Sequence, residues 1–585
     1  LEKHIELKSS PSIDEQFKLA RLALTHAQKM VNDKIRTIRI NCGADPKTGA
    51  GKLSEKKLEQ YQQACYDIAL ESANIWAARS YLDYAERNRG DVISQTLALS
   101  FVAEKTRDVL AQSFAGGGNL TAGKNAAESI LADEELYSYL EFNGGNLHYD
   151  LVGRDLAELS VQRLPSGLSE EKELIANTFK RFADEVVAPL AESIHREDLD
   201  IPEQIIGPAA EMGCFGTCIP ERFGGLQPDD KPDSLGMIVV TEELSRGSLG
   251  AAGSLITRPE IAARALLAGG TPAQQEKWLP PLAAGKELCA ISITEPNTGS
   301  DVAAVSLKAS RTEGGWLLNG AKTWCTFAGR SEVLVVLART NPDTSLGYKG
   351  LSLFLVKKPV YKGHSFTHKQ EPVGTIQGGA LNGGTLNGGT LTGKAIATLG
   401  YRGMHSYDLF FEDYFVPAEN LIGEEQGEGK GFYYTMAGFA GGRIQTAARA
   451  TGVMQAAYEQ ALRYASERKV FGAPIADLQI TRIKLARMLA TITASRQFSY
   501  AVANMMDEGK GQMEASLVKL FACRAAEWVT REAMQIHGGM GYAEETAVSR
   551  YFVDARVLSI FEGTEEVLAT RVVARELLEK GALEI

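Results

Sequence analysis

Val333-Leu334-Val335-Val336-Leu337-Ala338 is followed by Leu351-Ser352-Leu353-Phe354-Leu355-Val356. Apolar runs this short, rich in branched side chains, read as strands of a packed β domain. Trp316-Leu317-Leu318-Asn319-Gly320 reads as a strand running into a turn. Outward from these runs the texture changes in both directions. Residues 16–34, 54–87 and 91–114 carry apolar side chains at helical spacing, and Gly116-Gly117-Gly118-Asn119 ends the third stretch. Ser169 suits an N-cap before Glu170 and Glu171, and Leu174, Ile175, Phe179, Phe182 and Val186 form one apolar stripe. On the far side, residues 443–469, 480–508 and 512–537 are long amphipathic patterns. Phe471-Gly472-Ala473-Pro474 closes the first and Gly538-Gly539 stops the last. A β domain between helical regions is an α+β fold.

Four regions follow: a helical extension over residues 1–165, a helical domain over 166–286, a β domain over 287–421 and a helical bundle over 422–585. Leu164-Pro165-Ser166-Gly167 has linker composition. Residues 378–390 contain Leu-Asn-Gly-Gly-Thr twice, which reads as a turn-rich surface loop. Residues 94–118 faintly echo residues 516–541, so the extension is expected to be a bundle like the last domain.

At 585 residues, with 44% hydrophobic and 23% charged residues, the chain has the composition of a globular protein of several domains. Its net charge of −11 disfavours nucleic acid or an anionic membrane as partner, and no apolar run reaches membrane-spanning length. The opening Leu-Glu-Lys-His-Ile-Glu does not read as a signal peptide. Seven scattered cysteines fit a reducing cytoplasm. The eight histidines show no ligand spacing, so no metal is expected. No strand–GxGxxG–helix unit is present, so no Rossmann dinucleotide site is indicated.

Leu558-Ser559-Ile560-Phe561-Glu562-Gly563-Thr564-Glu565-Glu566 carries the chemistry. If Ile560 and Phe561 bury Glu562, desolvation raises its pKa and makes it a stronger base, suited to a weakly acidic carbon-bound proton.

Ile291-Ser292-Ile293-Thr294-Glu295-Pro296-Asn297-Thr298-Gly299-Ser300-Asp301 resembles the first signature of the acyl-CoA dehydrogenases. Lys322-Thr323-Trp324-Cys325-Thr326, Glu467-Arg468-Lys469-Val470-Phe471-Gly472, Gln535-Ile536-His537-Gly538-Gly539-Met540-Gly541-Tyr542 and Phe561-Glu562-Gly563-Thr564 are similar to its other segments, in family order. The resemblance covers residues 168–585. It implies an α-helical domain, a central β-barrel-like domain and a C-terminal four-helix bundle, here with an extra N-terminal helical domain. It also implies FAD. Ile291, Ile293, Thr294 and Ser300 match positions along the flavin and its pyrophosphate. Trp324 would pack on the ring and Thr326 would bond near its N5. Arg468, Phe471, Gln479, Gln535, Gly538 and Gly539 match positions that reach the FAD of a neighbouring subunit, so at least a dimer is implied; with the extension covering surface that a second dimer covers in tetrameric relatives, a homodimer is expected. Thr564 and Glu566 match further cofactor contacts.

The reaction implied is α,β-dehydrogenation of an acyl-CoA. Glu562 takes the α-proton, the β-hydrogen leaves as hydride to the flavin, and the Glu562 N–H and a ribityl hydroxyl polarise the thioester oxygen. Relatives that place the base before the Arg matching Arg443 have a carboxylate there; here it is Gly442, which leaves Glu562. Arg443 and Ser300 are expected on the substrate side. The family often has Asp where this chain has Ala440. The extension, with Tyr401-Arg402-Gly403-Met404-His405-Ser406-Tyr407-Asp408, resembles the subfamily acting on (2S)-methylsuccinyl-CoA, a short branched dicarboxylic thioester. Ser248–Pro259 would line its acyl pocket, with small residues leaving room and Arg258 meeting the second carboxylate. Electron-transferring flavoprotein is the implied acceptor. An acyl-CoA oxidase, a dehydrogenase of another short or branched acyl-CoA, and a nucleic-acid-binding protein of the same fold are the competing readings.

Overall fold

The computed structural model describes residues 12–45, 51–115, 124–371 and 388–585. Most of the Gly-Gly-Thr segment and the Gly116–Asn119 stop lie outside the described residues, as does the side chain of Ala440. The chain divides into two compact units, Ile175–Gln445 and Leu1–Leu174 with Thr446–Ile585.

The Ile175–Gln445 unit holds an eight-stranded sheet: β1 (Cys289–Ser292), β2 (Lys308–Thr312), β3 (Gly315–Thr326), β4 (Val333–Arg339), β5 (Leu351–Lys357), β6 (Ser365–Lys369), β7 (Thr390–Ala395) and β8 (Ser406–Pro417). The order is β1-β4-β2-β3-β8-β7-β6, with β5 also paired to β4. Every residue of β4 is buried, and period two explains how. Leu334, Val336 and Ala338 enter one core with Phe354, Trp316 and Phe411. Val333, Val335 and Leu337 enter a second with Leu266, Trp278 and Leu282, supplied by the helices Thr257–Gly269 and Pro272–Ala283. A strand covered on both faces has no polar side to alternate, hence the unbroken apolar run.

Helix Glu170–Phe182 passes into a π turn, Ala183–Val187. Its wider turn shifts the phase of the buried face, so Val187 is buried and Val186 only half-buried. Leu174, expected on the same stripe, is 68% exposed. One small residue after helix Ser234–Gly247 serves otherwise than expected. A Cβ on Gly250 would lie 2.2 Å from the Arg402 carbonyl oxygen, so the missing side chain admits neighbouring backbone rather than leaving space.

In the other unit the extension packs directly on the C-terminal helices. Gln62–Arg87 lies against Gln479–Asp507 and Gln512–His537, and Leu147–Glu158 lies along Gln479–Asp507. Trp76 stacks on Phe498 at 5.8 Å, and Phe101 meets Phe521 edge-on at 6.2 Å. A Cβ on Gly153 would come within 2.2 Å of the Arg482 carbonyl, which marks a close helix approach. Arg482 reaches Asp150 at 2.6 Å and Arg487 reaches Glu104 at 3.1 Å. The stretch with linker composition is pinned: Gln497 donates to the Ser166 carbonyl at 2.8 Å, and Tyr84 donates to that of Pro165.

Candidate active site

Helix Ala547–Leu558 ends at Ser559, and the chain turns through Glu562 (φ 55°) and Gly563 (φ 98°) before helix resumes at Glu565. A non-glycine residue in the left-handed region is strained and persists only where its surroundings impose it. Lys519 imposes it here. Its buried ammonium donates to the Phe561 carbonyl at 2.6 Å and to that of Gly563, holding the backbone on both sides of Glu562.

The Glu562 carboxylate is 13% exposed. Thr446 Oγ1 donates to it at 2.7 Å and the fully buried Arg449 at 2.6 Å. Arg449 also bonds Thr446 Oγ1 at 2.6 Å and lies 4.7 Å from the Phe561 ring centre. Thr446 and Arg449 stand three residues apart on helix Gly431–Glu467 and so share a face. Two expectations change. Ile560 is 50% exposed and does not bury the carboxylate. Burial pushes the Glu562 pKa upward, as expected, but the Arg449 charge and hydrogen bond, the Thr446 hydroxyl and the Lys519 charge outweigh it. The group is held below the usual carboxylate range, not above it.

In the sheet unit, Lys322 of β3 donates to the Ile293 carbonyl and to Glu295, each at 2.9 Å. Glu295 also accepts from the Ser306 and Leu307 N–H groups at 2.8 and 2.7 Å. Burial disfavours its charge, yet Lys322 and these donors outweigh that and keep it ionised. The Ile291–Asp301 segment is thereby tied to β3. Ile293 is buried, Ile291 and Thr294 half-buried, and Ser300 exposed. The β3–β8 register slips between Lys322 and Cys325. A bulge re-aims side chains; Trp324 takes φ 57° and stands 55% exposed. Thr326 Oγ1 lies 2.9 Å from Ser406 Oγ.

Val470 pairs with Ala473 across a two-residue turn, Phe471 (φ 52°) and Gly472 (φ 86°), the type I′ geometry. It leaves Phe471 101% exposed. Arg468, Gln535, Gly538 and Gly539 are exposed, and a Cβ on either glycine would meet nothing within 4 Å. Gln479 is exposed too, although its amide reaches Asp150 of the extension at 3.3 Å. Thr564 is half-buried and Glu566 exposed. Within the sheet unit, the exposed Ser300 hydroxyl and the strained, exposed Trp324 leave a polar and an aromatic surface of the kind a flavin packs against.

Three family models match in order: the acyl-CoA dehydrogenase N-terminal domain over residues 169–286, the middle domain over 290–380 and the C-terminal domain over 429–578. The chain is 44% identical over 416 residues to (2S)-methylsuccinyl-CoA dehydrogenase of Cereibacter sphaeroides, covering 71% of each chain. The chain belongs to the acyl-CoA dehydrogenase family. It is thereby an oxidoreductase of a flavoprotein family. It is also 34% identical to 3-(aryl)acrylate reductase of Clostridium sporogenes, over 70% of this chain and 99% of that one. Among solved acyl-CoA dehydrogenase structures, butyryl-CoA dehydrogenase from Megasphaera elsdenii matches with a TM-score of 0.62 and 31% identity, over 71% of this chain and 100% of that one.

Arg443 is half-buried on helix Gly431–Glu467. Arg258 does not point to solvent, and its bond to Ser254 reaches the residue that ends the turn Leu249–Gly253. It is buried, donating to the Ser254 carbonyl at 2.7 Å and to the Tyr401 hydroxyl at 2.8 Å. Sequence reasoning missed Thr446, Arg449 and Lys519. A signal was present, since Ala447-Ala448-Arg449-Ala450 and Leu517-Val518-Lys519-Leu520 each set one cation in an apolar run, and buried cations need partners. It also missed His405, whose ring nitrogens lie 3.1 Å from Asp200 and 3.3 Å from Asp198. Burial opposes its charge, but the two carboxylates outweigh that and raise its pKa. The fold brings ligand atoms of Asp198, His364 and His405 within 4.8 Å of one another, which no sequence spacing displayed. Arg402 approaches Asp198 at 3.7 Å, so cations of the protein already face these carboxylates. Among the described residues no helix is long and apolar enough to cross a membrane.

Proposed function

We propose that the chain catalyses the FAD-dependent α,β-dehydrogenation of a short branched dicarboxylic acyl-CoA, (2S)-methylsuccinyl-CoA to mesaconyl-CoA, with Glu562 as the base. The carrying observation is a nearly buried, ionised carboxylate held on a strained turn by Thr446, Arg449 and Lys519. Bound FAD supplies the acceptor for the β-hydrogen. Glu562 takes the α-proton on a carboxylate oxygen, and its own backbone N–H faces the thioester oxygen, where negative charge develops. Ile291, Ile293, Thr294, Ser300, Trp324 and Thr326 hold the flavin side. Thr564 and Glu566 follow the base. Arg443 and Ser300 lie toward CoA, and Arg258 meets the second carboxylate.

The substrate assignment is supported by the 44% identity to the Cereibacter sphaeroides enzyme and by the equal share of both chains that the match covers. Exposure of Arg468, Phe471, Gln535, Gly538 and Gly539 supports their reaching the FAD of a second subunit, hence a homodimer. The extension, seated on the C-terminal helices, would cover a face that tetrameric relatives use between dimers. Electron-transferring flavoprotein is the proposed acceptor. A 31% identical structure, TM-score 0.61, comes from work on the electron transferring flavoprotein of Acidaminococcus fermentans. The buried, free cysteines fit a cytoplasmic location.

The test is an anaerobic spectral titration of the flavin-loaded protein with (2S)-methylsuccinyl-CoA beside butyryl- and glutaryl-CoA. Bleaching preferential for methylsuccinyl-CoA, and lost in Glu562→Gln, is the expected result. Bleaching by another thioester overturns the substrate; no bleaching overturns the reaction. Peroxide formed in air at the turnover rate would turn the assignment to an oxidase.

A further inference from the structure

Arg449 has a place in this site that the proposed reaction does not by itself require. It stands in an Ala-rich run of helix Gly431–Glu467, has no solvent exposure, and donates through Nη2 to Glu562 at 2.6 Å and to Thr446 at 2.6 Å. Its guanidinium lies 4.7 Å from the ring centre of Phe561, the residue before the base. A buried guanidinium requires an anion, and a charge-assisted bond of this length orients as well as attracts. Lys519 binds main-chain carbonyls of the same loop. The two cations therefore divide the work: Lys519 sets the backbone, and Arg449 sets the carboxylate.

We propose that Arg449 is the positioning residue of the base, the counter-ion that keeps the Glu562 carboxylate ionised and aimed between encounters with substrate. The assignment rests on the reading of Glu562 as the α-proton acceptor. After the α-proton has been taken, a neutral Glu562 no longer offers Arg449 a negative charge. The same pair thus favours return of the proton to solvent and resets the base. Thr446 supplies a neutral donor to the other carboxylate oxygen, so it orients without biasing charge to the same degree.

The experiment follows the holoenzyme over pH in two ways: the acid limb of kcat/KM for acyl-CoA, and the infrared carboxyl band that disappears in Glu562→Gln. Removing a cation that favours the anion raises the proton affinity of its partner. Arg449→Gln is expected to move both midpoints upward together by about one pH unit or more, at least roughly tenfold in proton affinity. Arg449→Lys should restore most of the shift. Lys519→Met, which disturbs the backbone, should lower kcat with a smaller displacement of the midpoint. A midpoint unchanged in Arg449→Gln overturns the proposal even if activity falls. Full turnover in Glu562→Gln overturns the base assignment instead, which separates the two failures. Should Arg449→Gln not fold, Arg449→Met/Glu562→Leu removes the pair together. Recovery of folded protein supports the pairing, and a double variant as unstable as the single one overturns it.

Discussion

Glu562 is read correctly from the sequence as a buried carboxylate only if its partners are known, because burial and charge pairing push its pKa in opposite directions. Here the partners prevail. A carboxyl whose folded pKa lies below its unfolded value contributes stability that is present above the unfolded value, about 4.3 for Glu, and lost as pH falls through the folded one. Glu562→Gln should therefore flatten the acid side of the thermal stability profile. It should also lower kcat by roughly 10²–10⁴-fold, the range of a positioned general base, in a steady-state assay with (2S)-methylsuccinyl-CoA. Arg258→Met is expected to raise KM for that substrate steeply while sparing butyryl-CoA; equal KM changes for both would remove Arg258 from the acyl pocket.

At the scale of elements, His405 begins the approach to β8 one residue before Ser406, the partner of Thr326. Its pKa is raised, so the sign is opposite to that of Glu562. The stabilisation is complete below the unfolded value of about 6.5 and is lost as pH rises through the folded value. Melting curves from pH 6 upward should show wild type losing stability that His405→Gln lacks; parallel curves would refute it. The junction of Leu147–Glu158 with Gln479–Asp507 depends on the absent side chain of Gly153. Gly153→Ala forces a methyl group against backbone and should destabilise by about 1–3 kcal/mol in urea unfolding, the usual range for overpacking. In the sheet, Leu337→Ala should cost about 2–5 kcal/mol by the same measurement, because its site is closed on all sides by the second core.

For the whole molecule, the extension and the C-terminal helices form one compact unit. Their joint core includes Trp76 on Phe498 and Phe101 on Phe521. Contacts also run from Tyr66 to Glu565 and Arg524, beside the base loop. Light scattering of the purified protein should give a homodimer; a tetramer would show that the extension does not replace a second dimer. Arg468→Ala should leave the fold intact and weaken FAD retention, measured by the flavin-to-protein absorbance ratio after gel filtration.

The helical and strand segments were legible because their periods, 3.6 and 2, are local properties of the chain. So were the ordered motifs, the family and the candidate base, which need only residue types in succession. Three things were decided by tertiary structure. The π turn moved the buried position from Val186 to Val187, a change of phase that no residue type announces. The small residues at Gly250 and Gly153 proved to receive backbone from distant segments, which local sequence does not record. The charge state of Glu562 was set by Arg449 and Lys519, residues far from it in sequence. Electrostatic energy depends on distance and burial in space, and those exist only once the chain is folded.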